Sequence, residues 1–448
     1  MWERRGRASE ATWQGTTLLQ VSARVQEWKV ELPKRAREFL DAGLVRQQRA
    51  QRRSRQLLIG GGSALAAVAI GATFAAFAFQ AKQQEAVRQQ AQIRLAAADL
   101  GRFELVLTPF ERTEDGLGTR PASGEVPLEW SLRAPDLTDL HSPGRPLNGD
   151  ELRRSGARWA GGALHEQVEA RSGPAFLEVK RAGCATVMIG LERLPGYTER
   201  AEPPKPLELP VPSCAASTAG MIEIAAGPFF RNVDRPGRQD DTQDEAGELD
   251  GFALDRTEVT RGAFAVYQGI STLTGDAAAP APNLGFEDPG KENLPIVGVN
   301  FRTARDYCRF MGKDLPSLDQ WQKALRGGLT VNGAPNPNPK RELPWLGDKP
   351  HAANLRGDED GALLLAPVGT FPSDVSPYGV MDLAGNVTEW TLGTPDASSR
   401  MRRLRIVGGA NWDTAPELSF LQKVTFRSTH PDPFIDYALG FRCARPLP

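Results

Sequence analysis

The chain has 448 residues, a length that points to two or three domains with ample material for a buried core. At 40% hydrophobic and 24% charged it is ordinary globular material, and a formal net charge of -1 gives no global reason to expect nucleic acid or an acidic substrate. The four histidines (His141, His165, His351, His430) have no second His at i+3, i+4 or i+5, and no two cysteines form CxxC, which argues against a zinc site and thioredoxin-like chemistry.

The overall balance hides an asymmetry: residues 1–56 carry thirteen Lys/Arg against six Asp/Glu. Residues 27–44 (EWKVELPKRAREFLDAGL) read as short amphipathic helices feeding the arginine-rich run QQRAQRRSRQ. This basic cytoplasmic segment resembles the stretch before the membrane helix in bacterial signalling NTPases of the STAND class. It has no Walker loop, so no nucleotide hydrolysis is assigned to it. A basic patch against anionic lipid headgroups is one reading, and half of a split sensor with a cytoplasmic signalling partner is the other.

Residues 57–79 (LLIGGGSALAAVAIGATFAAFAF) contain no charge and are long enough, at about 1.5 Å per residue, to cross a hydrocarbon core. Five arginines between 46 and 55 precede this span, whereas Lys82 and Arg88 are the first bases after it. The positive-inside rule then predicts a single-pass protein of the inner (cytoplasmic) membrane, its N-terminus cytoplasmic and its later domains periplasmic or extracellular. Protease that degraded the C-terminal half only after membrane lysis would refute this topology. Residues 80–100 contain strong helix formers and no Pro, and Gly is absent too, so they are expected to form a helical stalk.

Residues 101–200 consist of short alternating runs such as FELVLTPFE, VPLEWSLRA and AFLEVKRA, separated by Gly, Pro and Asp. That is the pattern of a small antiparallel β-sandwich, read here as a spacer or interaction domain. A proline-rich linker at 201–216 is expected to be extended and semi-rigid. Cys184 and Cys214 flank it; a bridge between them would add about 3 kcal/mol, but the sequence leaves their pairing open.

From Met221 onward a series of blocks occurs in order: MIEIAAGPFF, GFALDRTEVTRGAFAVY, LPIVGVNFRTARDYCRFMGKDLPSLDQWQKALRGG, PWLGD, AANL, APVGTFPSDVSPYGVMDLAGNVTEW, RIVGGANWD and GFRCAR. Asp255 and Glu258 are hydrogen-bonding carboxylates next to a strand. Residues 303–311 form an amphipathic helix turning Tyr307 and Phe310 inward. Gly327 and Gly328 end the next helix, and Trp321, Trp345 and Trp390 are core aromatics.

Together these blocks resemble the formylglycine-generating (sulfatase-modifying factor) family over residues 217–448. The resemblance implies an α+β fold, irregular and related to C-type lectins. It also implies a disulfide between Cys308 and Cys443, free buried thiols being the alternative. Two structural calcium sites follow by the same resemblance. One uses Asn354, the Leu355 carbonyl, Asp360 and the Ala362 carbonyl; the other uses Asp382, the Gly385 and Val387 carbonyls and Glu389.

The resemblance fails at the catalytic centre. The family oxidase binds copper with two cysteines beside a serine, but alignment on Gly408-Gly409 puts Ala410 at the serine and Asp413 and Leu418 at the cysteines. Copper is therefore not expected, and neither is oxidation of cysteine to formylglycine. The histidine cluster of the related iron-dependent sulfoxide synthases is absent as well. The expectation is a membrane-anchored, non-catalytic binding, scaffold or sensor protein, with ligand-binding loops at Asn411, Trp412, Asp413 and on to Pro416, and at 429–437. Its ligand would be an extracytoplasmic protein, peptide or glycan. The alternative is an enzyme of this family acting on a protein substrate by another route.

Overall fold

The computed structural model describes residues 34–39, 41–42, 44–45, 100–113, 119–123, 127–194, 206–234, 242–268, 270, 291–349, 351–394, 404–425 and 427–447. The chain divides into two units, residues 1–89 and 90–448, and the residues described in the first are helical. The expected span 57–79, the arginine run before it and residues 80–99 of the expected stalk lie outside the described residues. Among those described, no helix is long and apolar enough to cross a membrane.

The second unit opens with nine strands. These are β1 (Leu100–Arg112), β2 (Thr119–Pro121), β3 (Leu128–Pro135), β4 (Pro143–Pro146), β5 (Leu152–Ala160), β6 (Ala163–Arg171), β7 (Gly173–Arg181), β8 (Val187–Leu194) and β9 (Leu207–Pro212). One sheet runs β2-β1-β6-β5 and the other β4-β3-β7-β8. Alternation dictates the faces: Phe103, Leu105 and Leu107 of β1 point one way and are buried together with Trp130, Leu132, Val168, Leu177 and Ile189. Residue 100, the expected end of the stalk, is the first of β1.

The proline-rich segment is more than a linker. Its residues 207–212 form β9, which runs parallel to β1 with Leu209 and Val211 buried. Proline is tolerated there because β9 pairs along one edge only. A short helix α1 (Cys214–Thr218) follows, capped by Ser213, and Cys184 and Cys214 are bonded to each other.

The C-terminal domain has little regular structure. It begins with β10 (Met221–Ile224), the hairpin β11 (Gly227–Asp234) and β12 (Thr242–Leu249), and β13 (Phe252–Asp255). Helix α2 (Arg261–Ala265) precedes α3 (Phe301–Phe310), where Asn300 accepts a hydrogen bond from the Thr303 amide at 2.9 Å. Helix α4 (Leu318–Arg326) starts in a capping box of Ser317 and Gln320 and stops at Gly327, whose φ of 82° a Cβ would oppose. After the small hairpin β14 (Thr330–Val331) and β15 (Ala334–Pro335) come β16 (Thr388–Trp390), β17 (Leu404–Gly408), β18 (Ser428–Pro431) and β19 (Leu439–Gly440), in the order β18-β17-β16-β19. The last strand, β20 (Ala444–Pro446), returns to pair with β13. Mixed sheets with few helices make this an α+β fold.

The sandwich and the C-terminal domain share one core. Tyr307 and Phe310 turn inward from α3 and pack with Phe264, Tyr267 and Phe441, while Phe310 stacks on Phe110 of β1 at 6.0 Å. Cys308 and Cys443 are bonded, stapling α3 to the segment before β20. The sandwich, read from the sequence as a spacer or interaction domain, is packed into the fold beside it.

Candidate functional site

The domain is organised around one buried ion pair. Arg442, fully buried, donates to both oxygens of Glu389 at 2.6–2.9 Å and also to the carbonyls of Asp255, Arg256, Met381 and Asp382. Burial opposes its charge, but the Glu389 carboxylate more than offsets this and holds the guanidinium above its ordinary range. Trp321 Nε1 donates to Glu389 Oε2 at 2.9 Å. Three more carboxylates surround the pair. Burial, with Asp382 beside them, raises Glu258 well above the usual carboxylate range and Asp374 to about 8; Asp382 is itself raised by burial. Asp255 is an anchor as expected, accepting from Lys313 Nζ at 2.6 Å and the Cys443 amide at 2.9 Å.

Two buried side-chain amides extend outward from this centre. Asn386 Nδ2 donates to Glu258 Oε1 at 3.0 Å, and Asn354 Nδ2 donates to Asn386 Oδ1 at 3.0 Å. The Asn386 carbonyl accepts from the Trp412 amide, which fixes the loop after the glycine pair. Those glycines are required by packing: a Cβ on Gly408 would stand 2.7 Å from the Trp321 ring, and Gly409 has φ 79°. Within the loop, Asn411 Oδ1 accepts from the Asp413 amide and Asn411 Nδ2 donates to Thr388 Oγ1.

This loop forms one wall of a surface cavity of about 360 Å³. Ala410, Asp413 and Leu418, the three residues at the family's active-site positions, all line it, as does Asn411. Trp412 is not in the lining; its ring sits beside Tyr437 at 6.1 Å, and its Nε1 donates to the Tyr437 carbonyl. The other wall holds Ser428, His430, Phe434 and Asp436. The two loops expected to bind ligand thus face one space.

Sequence reasoning missed what His430 and Asp436 contribute. His430 stacks on Phe434 at 4.2 Å, and its Nε2 lies 3.2 Å from Ser428 Oγ. Burial lowers its pKa, against the opposing pull of Asp436, which favours the neutral ring. The Ser-x-His spacing on a strand was the available signal, since residues i and i+2 share a face. Asp413 is bound through Oδ1 by Arg356, in an exposed ion pair.

The two expected calcium sets behave differently. In the first, the buried Asn354 Oδ1 has no hydrogen-bond partner, and Asp360 folds over the Leu355 and Ala362 amides at 2.7 and 2.9 Å. An orphaned buried oxygen is the one feature of this set that fits a hard cation, since both oxygens of Asp360 already accept backbone amides. In the second, Arg442 and Trp321 occupy the oxygens of Glu389, and Asp382 accepts from the Gly369 amide. That arrangement does not fit a cation at Glu389. Among the described residues, no group of three or more His, Cys, Asp or Glu is placed to hold a metal. Copper fares no better at the cavity, which carries no thiol: Cys184–Cys214 and Cys308–Cys443 account for every cysteine.

Residues 206–447 match the family model of the Sulfatase-modifying factor enzyme 1-like domain. The chain is 38% identical over 170 residues to the Inactive C-alpha-formylglycine-generating enzyme 2 of Bos taurus, covering 36% of this chain and 53% of that protein. It therefore spans about half the length of the bovine relative. With the Mus musculus protein of the same name it shares 30% identity over 274 residues, 51% of this chain and 86% of the other. The solved structure of PvdO from Pseudomonas aeruginosa aligns with 51% of this chain and 94% of its own, at 23% identity and a TM-score of 0.38.

Proposed function

The chain belongs to the sulfatase-modifying factor enzyme 1-like family through its C-terminal half, and on that premise we propose that it is a non-catalytic ligand-binding module. The cavity wall carries this reading. Where the family oxidase uses thiolates beside a serine, the wall presents a methyl group, a carboxylate tied to Arg356 and an exposed leucine. A carboxylate and a hydrocarbon do not replace soft ligands to Cu(I). Relatives in cow and mouse that are named inactive support the same view.

The remaining chemistry of the cavity suits recognition. Asn411, Thr388 and Asp436 offer hydrogen-bonding groups, while Leu418, Leu421 and Phe434 offer apolar surface. We extend the proposal to one structural calcium ion held by Asn354, Asp360 and the Leu355 and Ala362 carbonyls, pinning the loop that leads to Arg356. A chelator that left the melting temperature of the calcium-loaded chain unchanged would remove this part. Anchoring through residues 57–79, with display outside the cytoplasm and signalling to a cytoplasmic partner, completes the proposal. The two disulfides support it, because such bonds persist in oxidising compartments.

The test uses the full-length chain, since the shared core gives no reason to expect residues 217–448 to fold alone. Incubated with copper, oxygen and a cysteine-containing peptide, it is expected to leave the peptide mass unchanged. A mass loss of about 18 Da, the arithmetic of converting a thiol to an aldehyde, would mean that oxygen is activated without thiolates and the non-catalytic reading is wrong.

A further inference from the structure

The two disulfides differ in what surrounds them. Cys308 and Cys443 are fully buried in the shared core, so no thiol reaches their sulfurs in the folded chain. Cys184 and Cys214 sit at the surface, Cys214 exposed and Cys184 half-buried. Their neighbours in sequence are small, and Ala182, Gly183 and Ala215 are themselves exposed, so no bulky adjacent side chain covers the sulfurs. Exchange requires a thiolate to approach one sulfur of the bond, and access decides which bridge it opens.

The segment that carries Cys214 does not depend on the bridge for its place. Strand β9 pairs with β1 along its whole length and buries Leu209 and Val211. The Ser213 amide donates to the Phe110 carbonyl at 2.8 Å, and Ala216 and Ser217 of α1 are buried. From the other side, the buried Arg181 donates to the Pro212 carbonyl, to Ser217 Oγ at 3.2 Å and to the Ala185 carbonyl at 2.8 Å. One guanidinium thus joins the turn after β7 to the segment around α1. That turn also packs on the end of α3, where a Cβ on Gly312 would stand 3.2 Å from the Arg181 guanidinium and 3.4 Å from the Ala185 carbonyl. These contacts duplicate the path of the disulfide, so opening it leaves both ends docked. The bridge closes a span of 30 residues against 135 for Cys308–Cys443, and it therefore restrains the unfolded chain less.

We propose that Cys184–Cys214 is a dithiol-exchange site, opened and closed in the folded protein while Cys308–Cys443 stays closed. The attacking thiolate of a dithiol bonds to Cys214 Sγ, the more exposed sulfur, and Cys184 leaves as a thiolate that takes up a proton. Arg181, hydrogen-bonded to the residue after Cys184, brings a cation near that leaving group. The second thiol of the dithiol then attacks its partner sulfur in the mixed disulfide and releases Cys214. The bridge gains two electrons and two protons, and the dithiol is oxidised to its disulfide. The inference uses neither the cavity nor the calcium set, and stands or falls apart from them.

The probe is dithiothreitol at about 1 mM and about pH 7.5, added to the full-length chain, quenched with iodoacetamide at intervals and read by peptide mapping. Cys184 and Cys214 are expected to be alkylated at least about a hundredfold faster than Cys308 and Cys443. The circular dichroism should stay unchanged and the melting temperature fall by less than about 8 °C. Cys184→Ser leaves Cys214 as a single exposed thiol, to which bis(2-hydroxyethyl) disulfide is expected to add one mercaptoethanol group, a gain of about 76 Da. Alkylation of all four cysteines at one rate, or of none before unfolding, overturns the proposal. Loss of the folded signal as the first bridge opens does the same, because the bond would then be a clamp that the fold requires. Alkylation of Cys184 and Cys214 before any reductant is added also overturns it, since there would be no bond to exchange. Absence of the mixed disulfide in Cys184→Ser removes Cys214 as the point of attack and the inference with it.

Discussion

The sandwich and the C-terminal domain hold themselves together in different ways, although they share a core. In the sandwich, strands of up to thirteen residues alternate inward and outward, and pairing satisfies the backbone. Its buried carboxylate, Glu166, is met by Trp130 and Arg154. Among the described residues of the C-terminal domain no strand is longer than eight residues, and buried charged side chains satisfy the loops. Arg442 alone serves four carbonyls besides Glu389, and Lys323 binds the carbonyls of Ala225 and Gly227. A domain with little regular structure must find partners for its backbone groups elsewhere, and here long cationic side chains supply them. Such a scaffold frees its loops to face the cavity.

The sharpest way to break this contrast is to remove the central cation. Arg442→Met leaves Glu389 buried without its partner and the four carbonyls unsatisfied, for an expected loss of about 3–5 kcal/mol in urea unfolding. A loss below about 1 kcal/mol would mean that the ion pair is incidental to the fold.

A hydrocarbon change in the sandwich tests the shared core. Leu177→Ala, at a fully buried position, is expected to cost about 3 kcal/mol. Because the core is continuous from Leu177 to Phe441, calorimetry of residues 90–448 within the full chain should show one transition shifted as a whole. Two transitions, with only the first moved, would make the sandwich an independent unit.

The smallest effect concerns pH. Burial raises Asp306 on α3 to about 7, against the pull of Arg309, Arg305 and Arg302. Its folded pKa lies above the unfolded value, so the folded state keeps a proton that the unfolded chain has lost. Stability from this group is complete below about pH 4, falls as pH rises through 7 and is level above. Asp306→Asn should flatten that slope, narrowing the melting-temperature difference between pH 5 and pH 8 by about 2 °C. An unchanged slope would place the titration elsewhere.

The readings that succeeded from the sequence were local ones. Alternation in FELVL placed β1, and Gly327 marked the end of α4. Tyr307 and Phe310 were legible as inward-facing because helical periodicity relates them to the apolar side of α3. The residues at 410, 413 and 418 could be aligned by their distance from a glycine pair, and the fold brings them to one cavity.

Other features depended on contacts between distant segments. The linker at 201–216 looked extended because proline favours that conformation, and extended backbone is also what a sheet edge accepts; only the presence of β1 turned residues 207–212 into β9. Nothing in the GFRC block showed that its arginine would meet Glu389, 53 residues away, or carbonyls more than 180 residues away. Asp436 reads as one more loop carboxylate until β18 and the loop after Gly409 enclose it beside His430. Sequence by itself determined the alternating strands of the sandwich, the amphipathic helix at α3 and the end of α4, together with the family and the absence of thiols at its active-site positions, because these follow from neighbouring residues or from a motif. Tertiary structure alone decided that Cys184 and Cys214 bond and which carboxylates lose water, because desolvation and pairing depend on what the rest of the chain places within a few ångströms.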